Sequence, residues 1–306
     1  MGPRRLVVGC AFILFVPGTA FPARGGGEIG GADTLTDKRC QRCLIWTGGV
    51  TTAAMAATYV SLDQAWYAQY ERTPLHSFND GDEWLQMDKA GHLFSAYTLG
   101  NWGHAAVSHC GASASTSRWV GGSLGLVFLT GVEILDGTSS GWGFSWWDMA
   151  ANAAGATLFI GQDALWAEQR LQLKLSAHHT EFAPQRPDLL GSGPIERYLK
   201  DYNGQTIWLS ANLDRFSPGA VPPWLSVAIG YGAERMTSAR VSTGDVVVAP
   251  MPYRQFYLAP DVDLTRIKTR SRSLRTLLFV LNSIKIPAPT LEFTSEGHFV
   301  GHWLYF

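Results

Sequence analysis

The chain has 306 residues, with 24 basic and 25 acidic side chains and a formal net charge of -1 at pH 7. This length is ample to bury a core, so the fold does not depend on disulfides as that of a mini-protein does. The balanced charge excludes the broad basic field of a nucleic-acid binding protein, and we expect no nucleic-acid partner. Charged residues are 16% of the chain, against about a quarter in typical soluble domains. The composition therefore lies between soluble and membrane-embedded.

The N-terminus has the features of a bacterial export signal. Arg4 and Arg5 precede an uncharged run that ends in small residues at Ala20, the order that a signal peptidase recognises. We predict a signal peptide over residues 1–20 and a flexible Gly-rich leader over residues 21–37. An uncleaved anchor is the alternative, although the run is shorter than the ~20 residues that span a bilayer.

Three of the four cysteines follow the leader, at Cys40, Cys43 and Cys110. The pair at positions 40 and 43 has no second pair to complete a four-thiolate zinc site. No βαβ pattern surrounds it, as a thioredoxin-type motif would require. In an oxidising compartment we expect one disulfide among the three cysteines, with one thiol left over.

Four uncharged segments predict a four-helix bundle within residues 38–183. They cover Leu44–Leu62, residues 90–117, Trp119–Val132 and Met149–Gln162. Ala, Gly, Ser and Thr are as frequent in them as Leu and Val, which allows close helix packing but gives a weak transmembrane signal.

The two ends of an up-and-down bundle would differ in charge. The basic end would gather Lys38, Arg39, Arg42, Arg118, Arg170 and Lys174, and the acidic end Asp63, Glu71, Asp80, Asp82, Glu83 and Asp136. A membrane-spanning bundle would keep its basic end in the cytoplasm, yet these basic residues directly follow an export signal. We therefore favour a bundle outside the cytoplasm, in the periplasm or on the periplasmic face of the outer membrane. A multi-pass inner-membrane protein is the alternative.

The C-terminal third changes from helical to strand periodicity. A Pro- and Gly-rich linker over residues 184–204 separates the bundle from a β-rich region over residues 205–306. Alternation of apolar and polar residues predicts five strands. They are Gln205–Leu213, Trp224–Glu234, Tyr253–Leu264, Thr290–Thr294 and His298–Phe306. With an amphipathic helix between Leu274 and Ile284, the predicted fold is α+β, a four-helix bundle followed by an antiparallel sheet.

Polar residues concentrate where the helices begin and end. Asp88 and His92 are four residues apart and share a helical face, as do Asp148 and Asn152. Ser145 and Asp148 have the spacing of a capping box. In an up-and-down bundle these residues converge with Glu133 and Lys89 at the acidic end.

Two interpretations of this cluster remain open. An imidazole beside two carboxylates at an apolar mouth has the groups of an acid/base or metal site, with His92, Glu133 and Asp148 as catalytic candidates. Asp88, Lys89 and Asn152 would then bind or orient the substrate, which could be a lipid-like envelope molecule. In the structural interpretation, which we favour, the carboxylates stabilise helix starts and Lys89 neutralises Glu133 or Asp148. The residues specify no cofactor or metal.

The ordered motifs resemble a known family. Asp88-Lys89-x-x-His92, Glu133 and Asp148-x-x-x-Asn152-x-x-Gly155 are similar to the YfiM-like family of predicted periplasmic lipoproteins of unknown function, and more distantly to VanZ-like proteins. Segments from Asp201 to Glu292 are similar to the longer members. The resemblance implies an envelope location and a four-helix core, but no reaction. Only four residues separate Cys10 from Arg5, so Cys10 is not a convincing lipidation site.

Two surface features point to a membrane. Trp142, Trp146 and Trp147 could form an interfacial belt at the acidic end, or cover the bundle mouth as a packed loop. A basic run before the amphipathic helix could dock on anionic headgroups or stay solvated. It consists of Arg266, Lys268, Arg270, Arg272 and Arg275.

The C-terminal strand, with Leu304 and a terminal Phe306, resembles the last strand of outer-membrane barrels. Five strands are too few for such a barrel. We expect a structural or interaction module at a membrane surface, with envelope lipid or an envelope protein as partner.

Overall fold

The computed structural model describes residues 38–240 and 251–306. The predicted signal peptide, the leader and Cys10 lie outside the described residues. In this part of the chain the helices are α1 (Lys38–Leu62), α2 (Met87–His109), α3 (Ala114–Thr116), α4 (Leu124–Gly137), α5 (Trp146–Trp166), α6 (Pro187–Leu190), α7 (Pro194–Lys200), α8 (Leu213–Phe216) and α9 (Arg272–Leu281). The strands are β1 (Leu171–Ala177), β2 (Gln205–Asn212), β3 (Leu225–Glu234), β4 (Tyr253–Val262), β5 (Ala288–Thr294) and β6 (Phe299–Tyr305).

The four long helices are those that the uncharged segments predict. The third is interrupted, because α3 leads through a π-helical turn at Ser117–Gly121 into α4. Such a turn adds one residue to the helical repeat and re-aims the side chains that follow. The helix that spans 114–137 and α1 are both long and apolar enough to cross a membrane by length and composition.

Glycines let the helices of the bundle approach closely. A Cβ atom at Gly155 of α5 would collide with the carbonyl oxygen of Leu93 on α2, and one at Gly125 of α4 would collide with that of Ala96. Only a residue without a side chain fits between backbones at this distance. These contacts fix α2 at the centre, between α4 and α5.

Helix α1 packs less tightly and is linked to α2 by a disulfide. Cys43 and Cys110 are bonded, and Cys40 is a buried free thiol, so the predicted single disulfide with one thiol left over is confirmed. An apolar cavity of about 670 Å³ lies between α1, α2 and α4, and its lining includes Leu44 of α1 and Phe128 of α4.

The C-terminal region forms one antiparallel sheet in sequential order from β1 to β6. It has six strands rather than five, because β1 lies before the predicted linker, within the range assigned to the bundle. Leu171, Leu173 and Leu175 alternate there with polar residues, and β1 pairs along its whole length with β2. Lys174, which we expected at the basic end of the bundle, points instead into the sheet interior.

The sheet has a polar inner face and an apolar outer face. On β4, Gln255, Tyr257 and Asp261 are buried, whereas Phe256 and Leu258 between them are 45% and 48% exposed. Adjacent strands repeat this pattern, with buried Thr290, Glu292 and Thr294 on β5, and with outward Ile229 on β3 and Leu291 and Phe293 on β5. We call the outward residues Ile229, Phe256, Leu258, Leu291 and Phe293 the outer sheet face.

Two buried lysines neutralise the inner face. Lys174 Nζ lies 2.7 Å from Asp261 Oδ2, with both side chains fully buried, and Lys285 Nζ lies 3.6 Å from Asp261 Oδ1. Lys285 also donates to the carbonyl oxygen of Pro260 at 2.9 Å and lies over the Trp208 ring. The polar interior thus supplies its own countercharge.

The sheet packs against the bundle along α2. Leu173 of β1 contacts Tyr97 and Phe159, and Ile207 of β2 belongs to the core cluster that contains Trp84 and Met87. Bundle and sheet therefore lie side by side. The helices cover the outer side of β1 and β2 and leave the outer sheet face exposed.

The basic run and α9 lie at the far edge of β1, where Ile284 forms a parallel bridge with Leu175. Arg266 is paired with Glu168 and Asp263, while Lys268, Arg270 and Arg272 are exposed. Helix α9 is amphipathic and exposes Leu274, Leu277 and Leu281. The predicted amphipathic helix is confirmed, but the structure leaves its leucines uncovered.

Candidate metal centre

The predicted polar residues converge where α2 and α5 begin and α4 ends. Asp88, Lys89 and His92 come from the first two turns of α2, Glu133 from the last turn of α4, and Asp148 and Asn152 from the start of α5. Glu133 and Asn152 are fully buried, and Asp148 is 6% exposed. We call these six residues and Asp80 the polar cluster.

Lys89 binds three of the carboxylates. Its Nζ lies 2.5 Å from Asp80 Oδ2, 2.8 Å from Asp88 Oδ2 and 3.2 Å from Asp148 Oδ1. Lys89 thus pairs with Asp148, as the structural interpretation expects. Asp88 forms its ion pair with Lys89 and not with His92. The ammonium group fills the space between Asp80, Asp88 and Asp148 as an ion would.

Ser145 ties the start of α5 to this network. Its Oγ accepts a hydrogen bond from the backbone N–H of Asp148 at 3.0 Å and donates to Asp80 Oδ1 at 2.6 Å, and its own N–H donates to Glu133 Oε2 at 3.1 Å. The predicted helix cap is present. Ser145 thereby also connects Asp80 with Glu133.

His92 lies on the other side of Asp148. Its Nδ1 is 3.1 Å from Asn152 Oδ1 and 3.7 Å from Glu133 Oε1, and its Nε2 is 4.0 Å from Asp148 Oδ2. One ligand atom from each of His92, Glu133 and Asp148 lies within 4.8 Å of the others. This is the spacing of a metal-ligand set.

Three buried polar atoms in the cluster have no hydrogen-bond partner. They are Glu133 Oε1, Asn152 Nδ2 and Asp148 Oδ1, the last of which forms an ion pair with Lys89 Nζ at 3.2 Å without hydrogen-bond geometry. A buried polar group without a partner costs free energy, so such atoms are rare in folded proteins. A closed structural network would satisfy them.

Burial and neighbouring charges shift the pKa values of the aspartates at the mouth. Burial alone would raise the pKa of Asp80, but hydrogen bonds from Lys89 and Ser145 hold it below its ordinary value. Burial raises the pKa of Asp88 despite the contact with Lys89. Burial and the neighbouring Asp88 carboxylate raise the pKa of Asp148. One ammonium group thus does not compensate all of the carboxylates.

The sheet holds the turn that starts α2. Trp84, Leu85 and Gln86 have φ angles of 49°, 49° and 64°, a left-handed conformation that is unfavourable for residues other than glycine. Tyr231 of β3 donates to the Leu85 carbonyl oxygen, and Arg254 of β4 donates to Gln86 Oε1 at 2.6 Å. Contacts from a distant part of the chain therefore set where Asp88 and Lys89 lie.

Sequence reasoning missed Asp80 as a member of the cluster, although it placed this residue at the acidic end. Asp80 lies in the loop before α2, in an Asn-Asp-Gly turn that has no helical periodicity. A carboxylate in a turn shows no pattern that points to a partner nine residues away.

The tryptophans of the acidic end are exposed or half-buried. Trp146 is 70% exposed and Trp147 58%, and Trp147 Nε1 donates to Asn79 Oδ1 at 3.2 Å. Trp142 is half-buried against Tyr70. The outer two indoles do not cover the bundle mouth.

Comparison with protein families gives one match. Residues 77–161 match the family described as "Predicted periplasmic lipoprotein (DUF2279)". Every residue of the polar cluster falls in this segment, whereas all six strands lie outside it. No curated protein and no solved structure matches the chain. The predicted resemblance to periplasmic lipoproteins and the envelope localisation are confirmed, and the distant resemblance to VanZ-like proteins stays a prediction.

Proposed function

We propose that the chain, of which residues 77–161 match the family of predicted periplasmic lipoproteins, is an envelope protein embedded in a lipid bilayer. The observation that carries the proposal is the inverted sheet, with lysines, aspartate and glutamate inside and apolar side chains exposed on the outer sheet face. In water this arrangement would leave apolar side chains exposed to solvent and so would lose the free energy of their burial. In lipid it is the ordinary arrangement of a membrane strand.

The bundle has the same polarity as the sheet. The buried face of α5 carries Asp148, Asn152, Gln162 and Asp163, while its exposed residues include Leu165. Helices α1 and α4 expose Ile45, Val50, Val127 and Ile134. An apolar outer surface thus continues from the helices to the sheet.

Tryptophans mark two levels about one bilayer apart. Trp146 and Trp166 are the first and last residues of α5, and Trp46 and Trp66 have the same separation along α1 and the turn after it. Twenty residues of helix span about 30 Å, the thickness of the hydrocarbon core. Tryptophan prefers the two interfaces of this layer. The lipid-facing segments would be the uncharged ones, with the polar cluster at the acidic mouth.

The position of the disulfide supports a location in a membrane other than the inner one. Cys43 and Cys110 lie at the basic end of the bundle, which the positive-inside rule would assign to the reducing cytoplasm. The outer membrane removes this conflict, since both of its sides are oxidising. The low hydropathy of the helices is compatible with export past the inner membrane.

Extraction and a charged substitution test the proposal. The protein should fractionate with outer membranes and resist both high salt and alkaline wash. Leu291→Lys places a charge in the outer sheet face and should reduce the free energy of unfolding in vesicles by about 2–4 kcal/mol. Ile195→Lys is the matched control, since Ile195 is about equally exposed but lies on α7, outside the proposed lipid contact.

Release by salt, or equal stability of the Leu291→Lys and Ile195→Lys variants, would contradict embedding. Peripheral binding through the exposed Lys268, Arg270 and Arg272 predicts release by salt, because headgroup contacts of exposed cations are screened over about 10 Å at 0.1 M.

The sheet edge suggests a partner. Among the described residues β6 pairs only with β5, and it exposes Trp303, Leu304 and Phe299. An open edge is not tolerated in hydrocarbon, because its backbone groups would lack hydrogen-bond partners. We expect a strand of another chain there, and the mass of the protein in detergent, corrected for bound detergent, should exceed that of one chain. A monomer would contradict this expectation.

An acid/base enzyme is the second candidate function, favoured by the unpartnered Glu133 Oε1 at 3.7 Å from His92. The ion pairs with Lys89 favour a structural role for Asp80 and Asp88 only. Incubation with envelope lipid extract and mass spectrometry should show a product that His92→Ala does not form. No difference between the two proteins would contradict catalysis.

A further inference from the structure

The polar cluster contains two sets of potential cation ligands, and only one of them is occupied by a lysine. Lys89 lies among Asp80, Asp88 and Asp148. His92, Glu133 and Asp148 form the second set. Within the described part of the chain, no Lys or Arg side chain forms an ion pair with Glu133.

We infer that His92, Glu133 and Asp148 bind a divalent transition-metal ion of the Zn²⁺ or Mn²⁺ class. The set offers one imidazole nitrogen and two carboxylate oxygens. This donor set suits Zn²⁺ and Mn²⁺ better than Ca²⁺ or Mg²⁺, which prefer oxygen ligands alone, and it holds no sulfur for a soft ion.

The ligand atoms lie near one another, at distances somewhat longer than those in a metal-bound site. Zn²⁺ binds nitrogen and carboxylate oxygen at about 2.0–2.2 Å, so two ligand atoms of one ion lie at most about 4.4 Å apart. The ligand atoms of the set lie within 4.8 Å of one another, and His92 Nε2 is 4.0 Å from Asp148 Oδ2. In a tetrahedral site the ligand atoms would lie about 3.5 Å apart, so side-chain movements of about 1 Å would close the set.

Asn152 orients the imidazole. Its Oδ1 can only accept a hydrogen bond, so the proton of His92 resides on Nδ1, 3.1 Å away. The lone pair on Nε2, the atom nearer Asp148, is then free to bind a metal. A hydrogen bond to the second ring nitrogen is the usual support of a metal-binding histidine.

The buried atoms without partners support the assignment. Glu133 Oε1 is fully buried and unpaired, and an ion would satisfy it. Three protein ligands leave one position of a tetrahedral site for water. That water would accept a hydrogen bond from Asn152 Nδ2, which has no acceptor. An acidic cluster alone would not carry this inference, but buried unpaired ligand atoms beside an oriented imidazole do.

Equilibrium dialysis tests the site. The full chain in detergent micelles, stripped with a chelator, should bind one equivalent of Zn²⁺, and excess Mn²⁺ should compete. His92→Ala and Glu133→Gln should lose this equivalent. Asp88→Asn is the matched control, because it changes a buried carboxylate of the same cluster that Lys89 already neutralises, and it should retain the equivalent.

A readout on the parent protein keeps the test independent of variant folding. X-ray absorption of the bound Zn²⁺ should show only nitrogen and oxygen ligands at about 2.0–2.2 Å, with an imidazole contribution that Glu133→Gln changes. Failure of the parent to bind either ion, a sulfur ligand, or retention of the equivalent by both His92→Ala and Glu133→Gln would overturn the assignment.

Discussion

The bundle and the sheet both bury polar groups, but they compensate them differently. In the sheet, Asp261 meets Lys174 and Lys285, and Glu292 accepts from Gln255 at 2.9 Å and pairs with His302 at 2.6 Å. In the bundle, one lysine serves three aspartates, while the fully buried Glu133 keeps an unpaired oxygen.

This difference indicates that the buried charges of the sheet have a structural role and that those of the bundle have a functional one. A buried carboxylate that faces two lysines serves packing and fold specificity, although Asp261 Oδ1, 3.6 Å from Lys285 Nζ, accepts no hydrogen bond. Uncompensated acidic groups are a cost that a fold retains where something else binds. The sheet interior is therefore the structural core of its half, and the mouth of the bundle is the place to look for a ligand.

The largest effect is expected from Lys89→Met. This change leaves three buried or half-buried aspartates without their lysine and should lower the free energy of unfolding by about 3–5 kcal/mol. The loss should shrink as the pH falls, because protonation removes the repulsion among the carboxylates. Thermal melts in detergent measure both effects, with Lys268→Met at an exposed site as control. A melt equal to that of the parent would show that Lys89 does not stabilise the cluster.

Lys174→Met should have a smaller effect, because Lys285 remains 3.6 Å from Asp261. We expect a loss of about 3 kcal/mol, at the lower end for a broken buried pair. Asp261→Leu added to this variant should lower the stability further, because it leaves the buried Lys285 without its carboxylate. If the double variant is as stable as Lys174→Met alone, Lys285 does not depend on Asp261 and the sheet interior is not self-compensating in this way.

Gly155→Ala tests the helix contact that brings Asp148 and His92 together. A Cβ atom there collides with the Leu93 carbonyl oxygen, and overpacking of this kind costs about 1–3 kcal/mol. Gly161→Ala on the same helix meets nothing within 4 Å and should stabilise by about 0.5–1 kcal/mol. Chemical denaturation of the two variants should give shifts of opposite sign, and shifts of equal sign would contradict the close packing.

The smallest effect is expected from Tyr305→Phe. The Tyr305 hydroxyl donates to Tyr257 at 2.8 Å and lies 3.0 Å from Thr206 Oγ1, so its removal should cost about 1 kcal/mol. Tyr198→Phe, at an exposed ring, should be neutral. Equal melting temperatures of the two variants would show that β6 does not need this bond to hold its position over β2.

The sequence predicts most elements because their signals are local. Uncharged runs identify the four long helices, and alternation identifies five of the six strands. Spacing of four residues on α2 and α5 places Asp88, His92, Asp148 and Asn152 at one end of the bundle. Strand β1 is missed because its alternating run is short and closely follows α5, although Leu171, Leu173 and Leu175 carry the period of two.

Only the tertiary structure decides which charges are compensated. Lys174 and Asp261 are 87 positions apart, and Asp80 reaches Ser145 across 65, so no local pattern shows that they meet. The left-handed turn before α2 depends on Tyr231 and Arg254 of the sheet. The sequence by itself determines where helices and strands form and which polar residues share a face. Their protonation, pairing and free ligand atoms depend on groups from remote segments, since electrostatic energy follows distance and burial in space.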